Sequence, residues 1–190
     1  ERMVGEVDLA VRPARPDLLT VIAPRHPSRG PEVAAILRGM GFDLARRGAD
    51  EPITPQTQVY LADTIGEMGL FYRLAQVAFV GGSWTDRGGQ NPYEPAQLGC
   101  PVLFGPDMSN FREISQLLLT AGAAMTVAGP AEAAAALRRL LEDEGARSAM
   151  AEAGRRVAAD QQGVLDRLER ALAPILPGAL AMPADRRARA

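Results

Sequence analysis

Six short apolar runs, continuous rather than alternating, set the strongest limit on what this chain can fold into. They are LLTVIAP (18 to 24), FDLAR (42 to 46), QVYLA (58 to 62), VAFVG (77 to 81), PVLFG (101 to 105) and AAMTV (123 to 127). A strand with one wet face alternates apolar and polar residues, whereas a continuous run is buried on both faces, as in a parallel sheet. Parallel neighbours require a crossover. Segments of helical spacing lie between the runs: PEVAAILRGM (31 to 40), GEMGLFYRLA (66 to 75), PYEPAQLG (92 to 99) and FREISQLLLTA (111 to 121). Ala-rich helices are predicted to follow at 130 to 143, about 146 to 160 and about 163 to 174. Strand, helix, strand repeated in this way predicts right-handed crossovers and a Rossmann-like, doubly wound α/β fold with a parallel sheet. The 190 residues suit one domain of ordinary size.

The opening segment, about 3 to 12, reads as a helix ending near Pro13. A complete Rossmann-like unit begins with a strand, so the first strand and its loop are expected to be missing from this sequence. The N-terminus is charged, lacks both the apolar core of a secretory signal and an initiating Met, and reads as a processed start or a fragment. The expected domain runs over 1 to 176. The tail PGALAMPADRRARA (177 to 190) reads as mobile and solvated. No stretch approaches the ~20 apolar residues of a membrane span.

Composition excludes several chemistries. All 21 basic residues are Arg, so the chain offers no P-loop Lys, Schiff base or Lys general base. The net charge of -2 argues against general nucleic-acid binding. A lone Cys100 rules out an internal disulfide framework and a multi-cysteine metal site, and reads as a buried structural thiol. One His, His26, makes no metal site by itself. Neither a cofactor nor a metal is expected.

In doubly wound sheets, ligands bind beyond the carboxyl ends of the strands, where loops lead into helices. Three such loops carry candidates. APRHPSRG (23 to 30) places Arg25, whose planar fork suits a phosphate, beside His26, a second donor. ADTIGEM (62 to 68) offers the amides of Ile65, Gly66 and Glu67. GGSWTDRGGQ (81 to 90) is far longer and richer in Gly than a simple turn needs. Gly81 and Gly82 would let a ligand approach the backbone, and Gly88 and Gly89 would add donors. A helix from Pro92 would then present free N–H groups and a positive dipole end to a phosphate, with Glu94 a turn in to accept from ribose hydroxyls.

A plainer reading competes. Thr64 to Glu67, Asn91 to Glu94 and Asn110 to Glu113 all fit the capping box, and Gly129 to Glu132 is a weaker version. Taken alone, each acid reads as a helix cap.

The three loops, in this order and spacing, resemble the C-terminal half of the 3-deoxy-D-manno-octulosonic acid (Kdo) transferases. The resemblance runs through PRHPSR, QVYLADTIGEMGLFYRLAQVAFVGGSW, RGGQNPYEPAQLGCPVLFGP and SNFREI, over roughly residues 18 to 175. It implies a GT-B glycosyltransferase of two Rossmann-like domains, of which this chain is similar to the second. Such enzymes transfer Kdo from CMP-Kdo to a lipid A precursor in lipopolysaccharide biosynthesis, with inversion and without an active-site metal. By the same resemblance Arg25 contacts the phosphate, the loop Ile65 to Glu67 binds CMP through its backbone, Gly82 and Ser83 line the cleft, Asn91 helps to seat the phosphate, and Glu94 holds the ribose. The catalytic base, the acceptor site and the membrane contact are implied to lie in an N-terminal domain, at the cytoplasmic face of the bacterial inner membrane. The family's Gly-Ser-Thr loop would precede the opening helix. This chain alone is therefore expected to bind nucleotide weakly and to transfer nothing. Two other readings stay open: a GT-B domain of a UDP-sugar transferase or UDP-sugar 2-epimerase, and a non-catalytic binding module.

Overall fold

The computed structural model describes residues 1–172, and their side chains as far as residue 163. The expected domain end at 176 and the tail at 177 to 190 lie outside the described residues. Helix α1 (Arg2–Val11) opens the chain, followed by β1 (Thr20–Ile22), α2 (Gly30–Gly39), β2 (Leu44–Arg46), β3 (Val59–Leu61), α3 (Met68–Leu74) and β4 (Ala78–Val80). Then come α4 (Tyr93–Gln97), β5 (Val102–Phe104), α5 (Arg112–Thr120), β6 (Ala124–Thr126), α6 (Pro130–Glu142) and α7 (Glu144–Leu172). Each of the six apolar runs forms a strand. Where two Ala-rich helices were expected after residue 145, α7 is continuous. No Pro interrupts it, and a single Gly such as Gly163 costs a helix only about 1 kcal/mol relative to Ala.

Every strand pairing is parallel. The strands form two three-stranded halves, ordered β1-β3-β2 and β4-β5-β6, rather than the single sheet expected. Within each half the strands read as the sequence predicts. On β5, Val102 and Phe104 point to one face, with Val80, Ala96, Leu118 and Ala153, while Leu103 points to the other, with Val7, Val11, Leu140 and Met150. Both faces of this half are thus covered by helices. The β1-β3-β2 half packs Ile22, Val59 and Leu61 against Val33, Ala34 and Leu37 of α2.

A buried ion pair fixes the amino ends of the strands. Arg12 donates through Nε and Nη2 to both oxygens of Asp8, at 2.6 and 2.7 Å, and through Nη1 to the carbonyl of Leu18 at 2.8 Å. The Thr20 hydroxyl also donates to Asp8. The pair therefore bolts α1 to the start of β1. Asp8 is buried and fully bonded, which is what makes an ion pair tolerable away from water.

Phe104 is 2% exposed at the centre of the larger sheet half. Phe104→Ala is expected to destabilise the fold by about 3 to 5 kcal/mol, through lost transfer energy and the cavity left behind. A lower urea midpoint at unchanged slope would show this, and an unchanged midpoint would contradict the packing described.

Candidate functional site

The loops after β1, β3 and β4 gather at one edge, because parallel strands all end there. Their anchor is a carboxylate that sequence reasoning passed over. Asp63, at the end of β3, has a side chain 1% exposed. It accepts from Arg46 Nε and Nη2 at 3.0 and 2.6 Å and from the Gly48 amide at 2.7 Å. It also presses on Gly30, where an added Cβ would collide with its carboxylate. One side chain thus ties the start of α2 and the turn after β2 to the loop that carries Ile65. Burial works to raise the Asp63 pKa, but the Gly48 amide and the Arg46 guanidinium outweigh it and hold the carboxyl below its ordinary value.

On that anchor, Thr64, Ile65 and Gly66 stand exposed, with Gly66 at φ +94°. Among the described residues the amides of Ile65, Gly66 and Glu67 donate to nothing, so they remain open to a ligand. The capping box expected here is not formed, since α3 begins only at Met68 with Glu67 before it. Glu67 is instead held by Arg47 at 2.8 and 3.1 Å and by the Thr64 hydroxyl at 2.6 Å. Those two donors, Arg47 first, keep its carboxyl below the usual range.

The long loop after β4 closes on itself. Gly89 N–H donates to Gly82 at 3.2 Å, Gln90 N–H to Gly81 at 3.0 Å, and Gly88 N–H to Asp107 Oδ2 at 2.7 Å. Gly88 and Gly89 are therefore not the ligand donors expected. Both have positive φ, and a Cβ on either would strike Asn110 or Met108. Ser83 does not line the cleft either. It is fully buried, donates to the Val80 carbonyl at 2.6 Å and accepts from the Gly105 amide at 2.7 Å, joining the ends of β4 and β5. Gly82, at φ +74°, sits at the loop base, where a side chain would have ordinary contacts but a strained backbone.

Arg25 and the end of this loop meet. Arg25 Nη1 donates to Gln90 Oε1 at 2.8 Å across the mouth between β1 and β4. Next to Gln90, Asn91 accepts from the Tyr93 amide at 3.0 Å and donates to Glu94 Oε1 at 3.2 Å. The expected phosphate seat is thereby reduced. Helix α4 has five residues, starts at Tyr93 rather than Pro92, and has its first N–H taken by Asn91, so its dipole and free donors are fewer than predicted. Arg25 and Glu94 are exposed, and α4 packs beside α3. Burial first, then the Glu94 charge, push the Tyr72 phenol of α3 up to about 12. His26 is exposed and extended, as the residue before a Pro must be. The structure thus bonds Arg25 to Gln90, next in sequence to Asn91 and its partner Glu94, sets Ile65 to Glu67 in the loop before α3, and buries Ser83. Gln90 and Asp63 were missed. The signal for Gln90 was its place between Gly-Gly and the Asn of a helix start.

Cys100 is 2% exposed, and burial raises its thiol to about 12. Among the described residues no group of His, Cys, Asp and Glu side chains is gathered as a metal site, and no helix is long and apolar enough to cross a membrane.

A parallel α/β domain with an exposed cation and free amides at the carboxyl ends of its strands has the fold of the second half of GT-B glycosyltransferases. Comparison with known proteins narrows the class. The chain is 38% identical over 162 residues to the 3-deoxy-D-manno-octulosonic acid transferase of Haemophilus influenzae, covering 85% of this chain and 38% of that protein. It is 41% identical over 166 residues to the transferase of Bordetella pertussis, covering 84% and 39%. The crystal structure of the C-terminal CMP-Kdo binding domain of WaaA from Acinetobacter baumannii superposes with a TM-score of 0.78 at 30% identity, covering 83% of this chain and 82% of that one. No family model matches. The chain belongs to the 3-deoxy-D-manno-octulosonic acid transferase family, and it spans about two fifths of the length of these curated relatives.

Two outcomes are expected. Asp63→Asn will lower stability at neutral pH, because Arg46 loses its charge partner. Since the folded Asp63 pKa is depressed, its contribution is present above the unfolded value of about 3.9 and is lost as pH falls through the folded one. Urea melts between pH 5 and pH 3 will therefore show a shallower acid loss in the variant; an equal slope would mean that Asp63 is not held ionised. Separately, Cys100 will be silent to a thiol reagent at pH 8 in the native chain and will react fully in denaturant. Rapid native labelling would place it at the surface.

Proposed function

We propose that this chain is the donor-binding part of an inverting Kdo transferase, and that it holds the CMP half of CMP-Kdo at the edge where β1, β3 and β4 end. The observation that carries this reading is Arg25, an exposed guanidinium whose partner is the neutral Gln90, set beside the Asn91–Glu94 pair. Among the described residues it makes no ion pair, whereas Arg29, Arg46 and Arg47 on the same edge are each matched to carboxylates. An unneutralised cation suits a phosphate.

In this reading the acceptor hydroxyl attacks the anomeric carbon, and the bond from that carbon to the CMP phosphate oxygen breaks. Negative charge grows on the departing phosphate, and Arg25 stabilises it. The free amides of Ile65, Gly66 and Glu67 hold the nucleotide, His26 adds a donor beside Arg25, Glu94 accepts from the ribose hydroxyls, and Asn91 fixes Glu94 while ordering the start of α4. Gly82 keeps the loop base bare. The proton of the acceptor passes to a base in an N-terminal domain of the full-length enzyme, which also carries the lipid A precursor and the membrane contact at the cytoplasmic face. The relatives' names support the transfer reaction, and the Acinetobacter baumannii domain's title supports the nucleotide.

Calorimetric titration with CMP, and with UMP in parallel, tests the reading. CMP is expected to bind in preference to UMP. Arg25→Ala is expected to weaken CMP about 10- to 100-fold, the worth of a charge-assisted hydrogen bond, and Glu94→Gln several-fold. Equal binding of UMP, or indifference to Arg25→Ala, would sink the assignment.

A further inference from the structure

The Arg25 side chain is placed by a single contact. Among the described residues its one hydrogen-bond partner is Gln90, and the side chain of Gln90 has no other. Whatever holds Gln90 therefore holds the cation. Gln90 follows Gly88 and Gly89, whose backbones lack the Cβ that restricts every other residue. A Gly-Gly pair at that point would let residue 90 wander unless contacts from outside the pair fixed it.

The loop after β5 supplies those contacts. Asp107 Oδ2 accepts from the Gly88 amide at 2.7 Å, while Oδ1 accepts from the Ser109 hydroxyl at 2.8 Å and the Ser109 amide at 3.2 Å. Asn110 donates through Nδ2 to the Arg87 carbonyl at 2.9 Å, and its own amide donates to the Gly88 carbonyl at 3.1 Å. Both backbone polar groups of Gly88 are thus taken by one short segment, 107 to 110. That segment is itself tied to the sheet, because the Asp107 amide donates to the Ser83 carbonyl at 3.0 Å and Met108, which lies against Gly89, is buried. The Gly88 amide first, then Ser109, hold the Asp107 carboxyl below its ordinary value, so both of its oxygens stay acceptors. Gly88 and Gly89 are buried at positive φ, and Asn110 and Met108 occupy the space that a Cβ would need. The glycines and the clamp are one arrangement.

We propose that Asp107 and Asn110 are positioning residues for the Arg25 guanidinium: they set the backbone of Gly88 and Gly89 so that Gln90 reaches Arg25, and they act on a bound ligand only through that cation. The consequence for binding rests on the reading of Arg25 as the partner of the phosphate. The clamp also gives a reason for a loop far longer than a strand-to-helix turn needs. Its detour carries residues 87 to 89 into the grip of the neighbouring loop before the chain enters α4. Three crossovers, after β1, β4 and β5, are thereby joined to place one charge.

The first arm of the test uses no ligand, so it is independent of what the site binds. Nuclear magnetic resonance relaxation of the Arg25 Nε–H group is compared in the native chain, Gln90→Ala, Asn110→Ala and Asp107→Ala, with a protected Leu103 amide reporting that each is folded. Asn110 is exposed, so its truncation spares the core. The Arg25 order parameter is expected to fall in Gln90→Ala and by a similar amount in the other two variants, in which the Gln90 amide will exchange at least about 10-fold faster. In the second arm, CMP titration, Asn110→Ala is expected to weaken binding about 3- to 10-fold, the worth of one hydrogen bond, and to cost nothing further once Gln90→Ala is present. An Arg25 that keeps its order in Asn110→Ala and Asp107→Ala would overturn the proposal. So would an Asn110→Ala penalty undiminished by Gln90→Ala, because clamp and cation would then be independent. Lost Arg25 order together with CMP binding that ignores Arg25→Ala would uphold the clamp and sink the phosphate reading instead.

Discussion

A parallel strand cannot hand the chain directly to its neighbour, and this constraint organises the molecule. After each strand the chain must cross back over the sheet, so every strand ends at the same edge and the loops that start α2, α3 and α4 are drawn together there. The opposite edge carries no such loops and is held by a different device, the Asp8–Arg12 pair that fastens α1 to the beginning of β1. A stable end and a site end thus follow from strand direction alone. What remained for the sequence to specify was the chemistry of three loops.

Asp63 shows how that chemistry is held in place. Burying a carboxylate is unfavourable unless its oxygens are bonded and its charge is met, and here Gly48 and Arg46 do both. In return one residue fixes three loops. The cost falls on Gly30 and Gly48, where Asp63 leaves no room for a Cβ. The adjacent loop is fixed the same way, with Arg47 and Thr64 on Glu67. The free amides of Ile65 and Gly66 are therefore presented by a preorganised backbone, which lowers the ordering cost of any ligand that binds them.

The strands were legible because burial on both faces writes itself into a short window: VAFVG and PVLFG admit little else. Helix starts were less so. Thr64, Asn91, Asn110 and Gly129 all head the same three-residue spacing to an acid, yet each is used differently. Thr64 bonds the Glu67 carboxylate rather than an amide, Asn91 accepts from Tyr93, Asn110 donates to the Arg87 carbonyl at 2.9 Å, and Glu132, in the weakest match, reaches back to the Ala128 amide at 2.8 Å. Spacing records which groups are close along the chain. It is silent on partners such as Arg47 and Arg87, which arrive from 20 and 23 residues away. Gly88 and Gly89 misled for a related reason, since a glycine that admits a ligand and one that admits Asn110 look alike in sequence.

Gln at position 90 suits the phosphate-binding role proposed for Arg25. A carboxylate there would orient the guanidinium equally well but would neutralise it, and a phosphate would then have to displace a charge already satisfied. That is the state of Arg29, Arg46 and Arg47, whose carboxylate partners make them structural. The Gln amide oxygen accepts one N–H at 2.8 Å and leaves the charge and the remaining donors of Arg25 available. Because that contact also crosses from the β1 half to the β4 half, the residue that orients the cation is the one that reports how far apart the halves stand. A change in the spacing of the two halves would therefore move the Arg25 guanidinium as well, so the geometry of the sheet and the placement of this cation are one problem.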